Sequence, residues 1–472
     1  MSEKNTLHPG QNRRGWAFTE DSEPIAASLC WEKDSAQLIL VSKYDYPNSR
    51  WPEALNPLHS YQTPHSFSFV DDLGAVELVD CLTVRFTRGA GSLEVENWML
   101  QPKMLIFGGN GKTWSSVSRV TTYIPMLQRW MGQSAHLVDW DFVEADETWL
   151  AVQLLKGHTV STCGSIEHRI EVQSRTESEI LSNSIRAFSI ARMTTDLEDS
   201  AKRDAAIDEH EAILDLLSII YGRQIGFSKR TVESYENLIL DFNEQEIAPE
   251  LRKSCEILYP VTEQGLTDCK GLTYTDAILR YRPENDAVFS SWLDFWSNNR
   301  PGVAALKRAL FESSSWENRL VNAAVAFEEF GHRIEGRADY RTNADNFPTY
   351  VKRVCLDMPR IAMMRPEGWA ARFNRAYKGL KHADNDYPEL REIVVTAEQA
   401  INYLRAWCCF KADPDNPIMD YTWRNMVDFE EFDSTADTPD TNHWDALLSM
   451  EVLEVEFRRL EMARTDQHRN GR

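Results

Sequence analysis

"TDLEDSAKRDAAIDEHEAILDLLSIIYGR", residues 195–223, separates two halves of the chain that follow different periodicities. Within it Ile213, Leu216, Leu217 and Ile220 recur at helical spacing and predict one apolar stripe on an amphipathic helix. Upstream the pattern alternates instead. In "LTVRFT" (82–87), Leu82, Val84 and Phe86 interleave with Thr83, Arg85 and Thr87, the period of a half-buried strand whose apolar set faces a core. "AQLILVSKYD" (36–45), "KMLIFGGNGK" (103–112), "TWLAVQLLKG" (148–157) and "EHRIEVQSR" (167–175) are further β-rich runs broken by turn formers. Residues 1–195 are therefore expected to form a β-rich sandwich or barrel.

Downstream, residues 196–287 read as a helical and mixed connecting region, with strands expected at "ENLILDF" (236–242) and "GLTYTDAIL" (271–279). From 288 to 412 the chain is helical. "SSWENRLVNAAVAFEEFGHRI" (314–334) opens with Ser and Glu in its first turn and sets Leu320, Ala324, Phe327 and Phe330 inward. "FPTYVKRVCLDMPRI" (347–361), "EGWAARFNRAYKGLKH" (367–382) and "PELREIVVTAEQAINYLRAWCCFKA" (388–412, with Pro388 as a helix start) complete a bundle of four to five helices. Residues 413–472 read as an acidic, solvated linker followed by a last helix, "WDALLSMEVLEVEFRRLEMAR" (444–464). The fold class expected is α+β.

A chain of 472 residues exceeds one ordinary core, and 42% hydrophobic residues suffice to build two or three domains. The net charge of −22 excludes sequence-independent coating of nucleic acid but leaves room for a small basic pocket. "MSEKNTLHPGQNRRGW" lacks a secretory apolar core, and no stretch approaches the ~20 apolar residues of a membrane span. Eight scattered cysteines without a C-x-x-C pair fit reduced thiols and speak against structural zinc. A cytoplasmic protein without a membrane partner is expected.

Three motifs carry little chemistry. "FGGNGKTW" (107–114) has Ile106 where a phosphate-binding loop needs its first glycine, so a hairpin turn after "KMLIF" is expected. His158 and His168 near Cys163 read as satisfied polar groups at a sheet rim, and the acids of 427–440 match no calcium loop.

Residues 368–383 are different: they hold no acid, yet carry Arg372, Arg375, Lys378, Lys381 and His382. At about 100° per residue, Arg375 and His382 lie about 20° apart around a helix, with Lys378 within roughly 60° of both. Gly379 beside them is expected to let a ligand approach the backbone. Trp369, Phe373, Ala376, Tyr377, Leu380 and Ala383 form the opposite, core-facing stripe. A solvated basic face is the plain alternative to a phosphate-handling site.

The Arg375–His382 spacing resembles the R-x4–6-H signature of HEPN domains, helical bundles of which many are metal-independent ribonucleases. "VNAAVAFEEFGHRI" (321–334) is similar to that family's first long helix, so the resemblance spans 288–412. Ala376 stands where many members place a polar residue, with Asn374 on the other side of the arginine. "RRGWAFTEDSEPIAASLCWEKDSAQLILVSKYD" (13–45), "YIPMLQRWMGQ" (123–133) and "RIEVQSRTESEIL" (169–181) resemble the N-terminal region of ApeA-like anti-phage proteins, where a sensing domain precedes a HEPN domain. The resemblance implies an endoribonuclease of abortive-infection defence that needs neither metal nor cofactor. It cuts RNA by 2′-hydroxyl attack, leaving 2′,3′-cyclic phosphate ends. Arg375 and His382 would be catalytic, while Lys378, Lys381, Asn374 and Arg372 would bind substrate. Two protomers would pair through the bundle, and a phage protein would be the trigger. Two other classes stay open: a non-catalytic HEPN sensor of RNA or nucleotide, and a protein- or carbohydrate-binding protein dimerised by its bundle.

Overall fold

The computed structural model describes residues 4–19, 23–32, 35–43, 66–88, 95–132, 136–143, 147–154, 158–179, 184–237, 252–259, 272, 276–312, 315–334, 346–358, 366–382 and 384–416. The expected segment 427–440 and the helix at 444–464 lie outside them, as does Ala383. The fold is mixed α+β, with an N-terminal barrel and C-terminal helices. Among the described residues no helix is long and apolar enough to cross a membrane.

The barrel has six antiparallel strands: β1 (Asn12–Phe18), β2 (Ile25–Glu32), β3 (Ser35–Lys43), β4 (Ser66–Asp71), β5 (Gly74–Arg88) and β6 (Val95–Phe107). Neighbours run β6-β3-β2-β1-β4-β5, and β5 pairs back onto β6, which closes the ring. Leu29, Leu38, Phe67, Phe69, Leu78 and Leu100 fill its interior. Arg13 forks onto both carboxylate oxygens of Asp71 at 2.8 and 2.6 Å, deep in the wall. Burial would raise the Asp71 carboxyl, but the Arg13 guanidinium holds it below its ordinary value.

The alternation in "LTVRFT" does not face that interior. Leu82 is 66% and Val84 51% exposed. Asp80 takes a left-handed φ of 52°, and the β5–β6 register shifts between Thr83 and Arg85. These irregularities turn Leu82 and Val84 to the outer surface.

Next come β7 (Val117–Tyr123), β8 (His136–Val143), β9 (Glu147–Leu154), β10 (His158–Cys163), β11 (Glu167–Glu179), β12 (Ser184–Asp196), β13 (Lys229–Ser234) and β14 (Cys255–Leu258). β8 and β9 form a separate hairpin. The others form a second sheet, β10-β11-β12-β7-β13-β14, whose last strand pairs with the end of β6. The loop "FGGNGKTW" is therefore no hairpin turn, because β14 and β13 stand between β6 and β7. It is tied to the barrel by Glu77, whose buried carboxylate accepts the N–H groups of Thr113 (3.0 Å) and Trp114 (3.2 Å). The strand expected at 271–279 is not found among its described residues. There the backbone serves other elements: Leu279 O accepts Trp130 Nε1–H, and Ile278 N–H reaches Ile220 O. Of 236–242 only two residues are described, and they lie in or beside a turn.

The helices are α1 (Pro125–Met131), α2 (Arg203–Tyr221), α3 (Ala287–Phe311), α4 (Trp316–Arg333), α5 (Phe347–Leu356), α6 (Pro366–Lys381) and α7 (Leu390–Ala412). The expected stripe of α2, Ile213, Leu216, Leu217 and Ile220, is fully buried. Most of this helix from Glu209 onward is buried as well, Glu209, His210 and Asp215 included. One apolar core runs from Ile170 and Met193 of the sheet through α2 to Phe327 of α4 and Trp407 of α7. On the bundle side, Trp292 Nε1–H donates to Ala212 O, Trp296 Nε1–H and Lys307 meet Asp215, and Arg405 donates to Ile219 O and Ile220 O. Asp413, expected in a solvated linker, is buried and accepts from Arg282 and Asn285.

On the sheet side α2 is held by a directed chain of hydrogen bonds. Arg230 has only donors, so Thr122 Oγ1 accepts its Nε–H at 2.9 Å and passes its own proton to His210 Nδ1 at 2.7 Å. His210 Nε2–H then donates to Thr195 Oγ1 at 2.8 Å, and Thr195 Oγ1 shares a hydrogen bond of 2.6 Å with His168 Nδ1. His168 Nε2–H ends the chain on Glu209, which also accepts from Ser165. The pattern fixes His210 as the Nε2–H tautomer, accepting at Nδ1 and donating at Nε2. His168 is thus a satisfied polar group, as expected, but in the interior rather than at a rim. Burial would raise the Glu209 carboxyl, yet the hydrogen bonds from His168 and Ser165 hold it below its ordinary value.

Burial, aided by neighbouring His168 and then by the Arg230 charge, holds His210 well below its ordinary 6.5. The unfolded chain therefore binds a proton below about pH 6.5 that the folded chain refuses. Stability should fall with pH from there toward the folded pKa, by up to about 1.4 kcal/mol per pH unit. Lowered Glu209 adds a further loss below about 4.5. Urea unfolding between pH 8 and 5 checks this, and His210→Gln should flatten the slope.

Candidate functional site

Residues 368–381 of the acid-free segment make up all of α6 but its first two residues, and the helix packs chiefly on α5 and also meets α4 and α7. Trp369, Phe373, Ala376 and Tyr377 are buried as the helical spacing requires, and Leu380 packs against the same core. Phe373 stands edge-on to Phe327 and Phe347, with ring centroids 5.4 and 4.9 Å apart. Ala376 is fully buried, so any larger polar residue directly after the arginine would enter the core.

The opposite stripe, Ala371, Arg375, Lys378 and His382, is exposed. Arg375 keeps 71% of its side chain in solvent. Its Nε lies 3.8 Å from Glu392 on α7, an acid that reading the basic segment alone did not include. His382 follows the last helical residue, its N–H donating to Lys378 O at 3.0 Å. Asn385 folds back: its N–H bonds His382 O, and its Nδ2 bonds Lys378 O, which closes the helix end under the imidazole. Seven residues of helix put about 10 Å of axial rise between Arg375 and His382, with Lys378 between them.

The remaining expected residues spread around this stripe. Arg372 is half-buried, and burial together with the Arg375 charge pushes its guanidinium down to about 10, still a cation at neutral pH. Asn374 is half-buried and its Oδ1 has no hydrogen-bond partner. Lys381 donates to Tyr377 O–H oxygen at 3.2 Å and lies over that ring, which raises its pKa. Arg375, Lys378 and His382 thus share one open face, while Arg372, Asn374 and Lys381 flank it.

Gly379 does not leave an opening for a ligand. A Cβ there would meet Asp386 O at 2.5 Å and Pro388 Cδ at 2.7 Å, because the segment after His382 returns across it. This glycine seats the loop that fixes the histidine.

Gly379→Ala should therefore cost about 1–3 kcal/mol by overpacking, read as a lowered urea midpoint. Arg375→Ala and His382→Ala touch only the exposed stripe and should change stability by less than about 0.5 kcal/mol.

No protein-family model, curated protein or solved structure matches this chain.

Proposed function

We propose that the chain is a HEPN-type endoribonuclease that cuts RNA without a metal ion and acts in cytoplasmic anti-phage defence. The observation that carries the reading is the open face of α6, where a guanidinium, an ammonium and an imidazole share one stripe above a sealed apolar face.

RNA brings its own nucleophile, the 2′-hydroxyl beside the scissile phosphate. His382 takes that proton as general base, or gives one to the departing 5′-oxygen. Arg375 is permanently charged and forked, which suits the extra negative charge of the phosphorane-like transition state. Lys378 and Lys381 hold neighbouring phosphates, with Arg372 and Asn374 at the flank. The products are a 2′,3′-cyclic phosphate and a 5′-hydroxyl.

One histidine supplies one proton-transfer group, so a second protomer completes the cleft. Tyr387 and Leu390, 65% and 63% exposed, stand just beyond His382 and offer apolar contact for that pairing. The β-rich half acts as the sensor and takes a phage protein as trigger. Trp16 and Val70 are register partners on β1 and β4 and are 56% and 36% exposed, an apolar pair on the barrel wall suited to a protein partner.

Incubating the purified chain with total RNA in EDTA tests the reading. Wild type should cleave, and His382→Ala and Arg375→Ala should each lose at least about 100-fold in rate. Equal cleavage by the folded variants would overturn it.

A further inference from the structure

A cavity of about 610 Å³ opens on the second sheet, within the ~300–1,000 Å³ range of small-molecule sites. Arg119 on β7 stands in register with Asp196 on β12 and Glu233 on β13. Their chain neighbours Val120, Thr195 and Val232 are buried on the α2 side, so by strand alternation these three project from the other face. Arg119 Nε–H donates to Asp196 and its Nη1–H to Glu233 at 3.1 Å, which fixes the guanidinium plane. Tyr235, 49% exposed, ties its O–H to Leu197 O at 2.7 Å. Its hydroxyl is committed, and its ring is left as an apolar wall.

Charge narrows the ligand. Three arginines and four carboxylates line the cavity, Glu167 and Glu198 among them with no ion-pair partner among the described residues. A polyanion such as RNA meets the carboxylates and a polycation meets the guanidiniums. A neutral ligand dense in hydroxyls satisfies both, since each hydroxyl donates to a carboxylate and accepts from a guanidinium. The Tyr235 ring suits the C–H face of a pyranose. We infer that this cavity binds a neutral saccharide. The site lies on the β-rich half and stands whether or not α6 cleaves RNA.

Calorimetric titration of the full chain with neutral tetrasaccharides of glucose, galactose, mannose and N-acetylglucosamine tests it. At least one should bind saturably at one site per chain. Tyr235→Ala should weaken that binding about tenfold or more, while Tyr235→Phe, which loses the same hydrogen bond to Leu197 O, keeps it within about threefold. Overturning results are no saturable binding of any of the four up to about 10 mM, binding indifferent to Tyr235→Ala, or displacement by citrate or spermidine.

Discussion

The structure depends on the burial of α2 on two sides at once. A helix with one apolar stripe needs one partner layer, whereas α2 sets Glu209, His210 and Asp215 inside as well. Each buried polar group left unmatched costs about 1–3 kcal/mol. Four strands and two bundle helices must therefore arrive in register: Thr122, His168, Thr195 and Arg230 from the sheet, Trp296 and Lys307 from α3, and Arg405 from α7. Arg230 gives the sheet-side chain its direction as far as Thr195, because a group with donors alone obliges Thr122 to accept from it and to donate onward to His210.

This constraint joins the second sheet and the helical bundle around one core. The barrel is attached differently, through the long β6 and a smaller cluster in which Met104, Ile106, Val120, Val232 and Ile257 meet the start of α2 at Ala206. A continuous packed path thus runs from barrel wall to α2 and on through α3 and α7 to α6. Under the proposed function, that path is the physical means by which events on the β-rich half reach the Arg375 face.

Much of this was legible in the sequence where periodicity had one simple cause. The helices at 316–333 and 390–412, the strand at 35–43 and both faces of α6 follow from spacing alone. The second buried face of α2 was not, because its acids and histidine look solvated until partners from distant strands are placed beside them. Leu82 and Val84 misled because a backbone flip at Asp80 reverses a period that sequence cannot see. Gly379 looked like an opening since the chain's own return over it depends on the turn at 384–388. Within the candidate site, Arg375 and His382 announced themselves by their acid-free surroundings. Glu392 did not, coming from the next helix, and the cavity beside Arg119 draws on several strands with no local motif.

Native-state amide hydrogen exchange on the full chain tests most directly whether α2 makes sheet and bundle one unit. Amides of α2, of β7 and β12, and of α3 and α4 should exchange only through a common global opening, with one free energy and one denaturant dependence. Contradiction would be a bundle whose α3 and α4 amides exchange through a separate, lower-energy opening while those of α2 and the sheet stay protected.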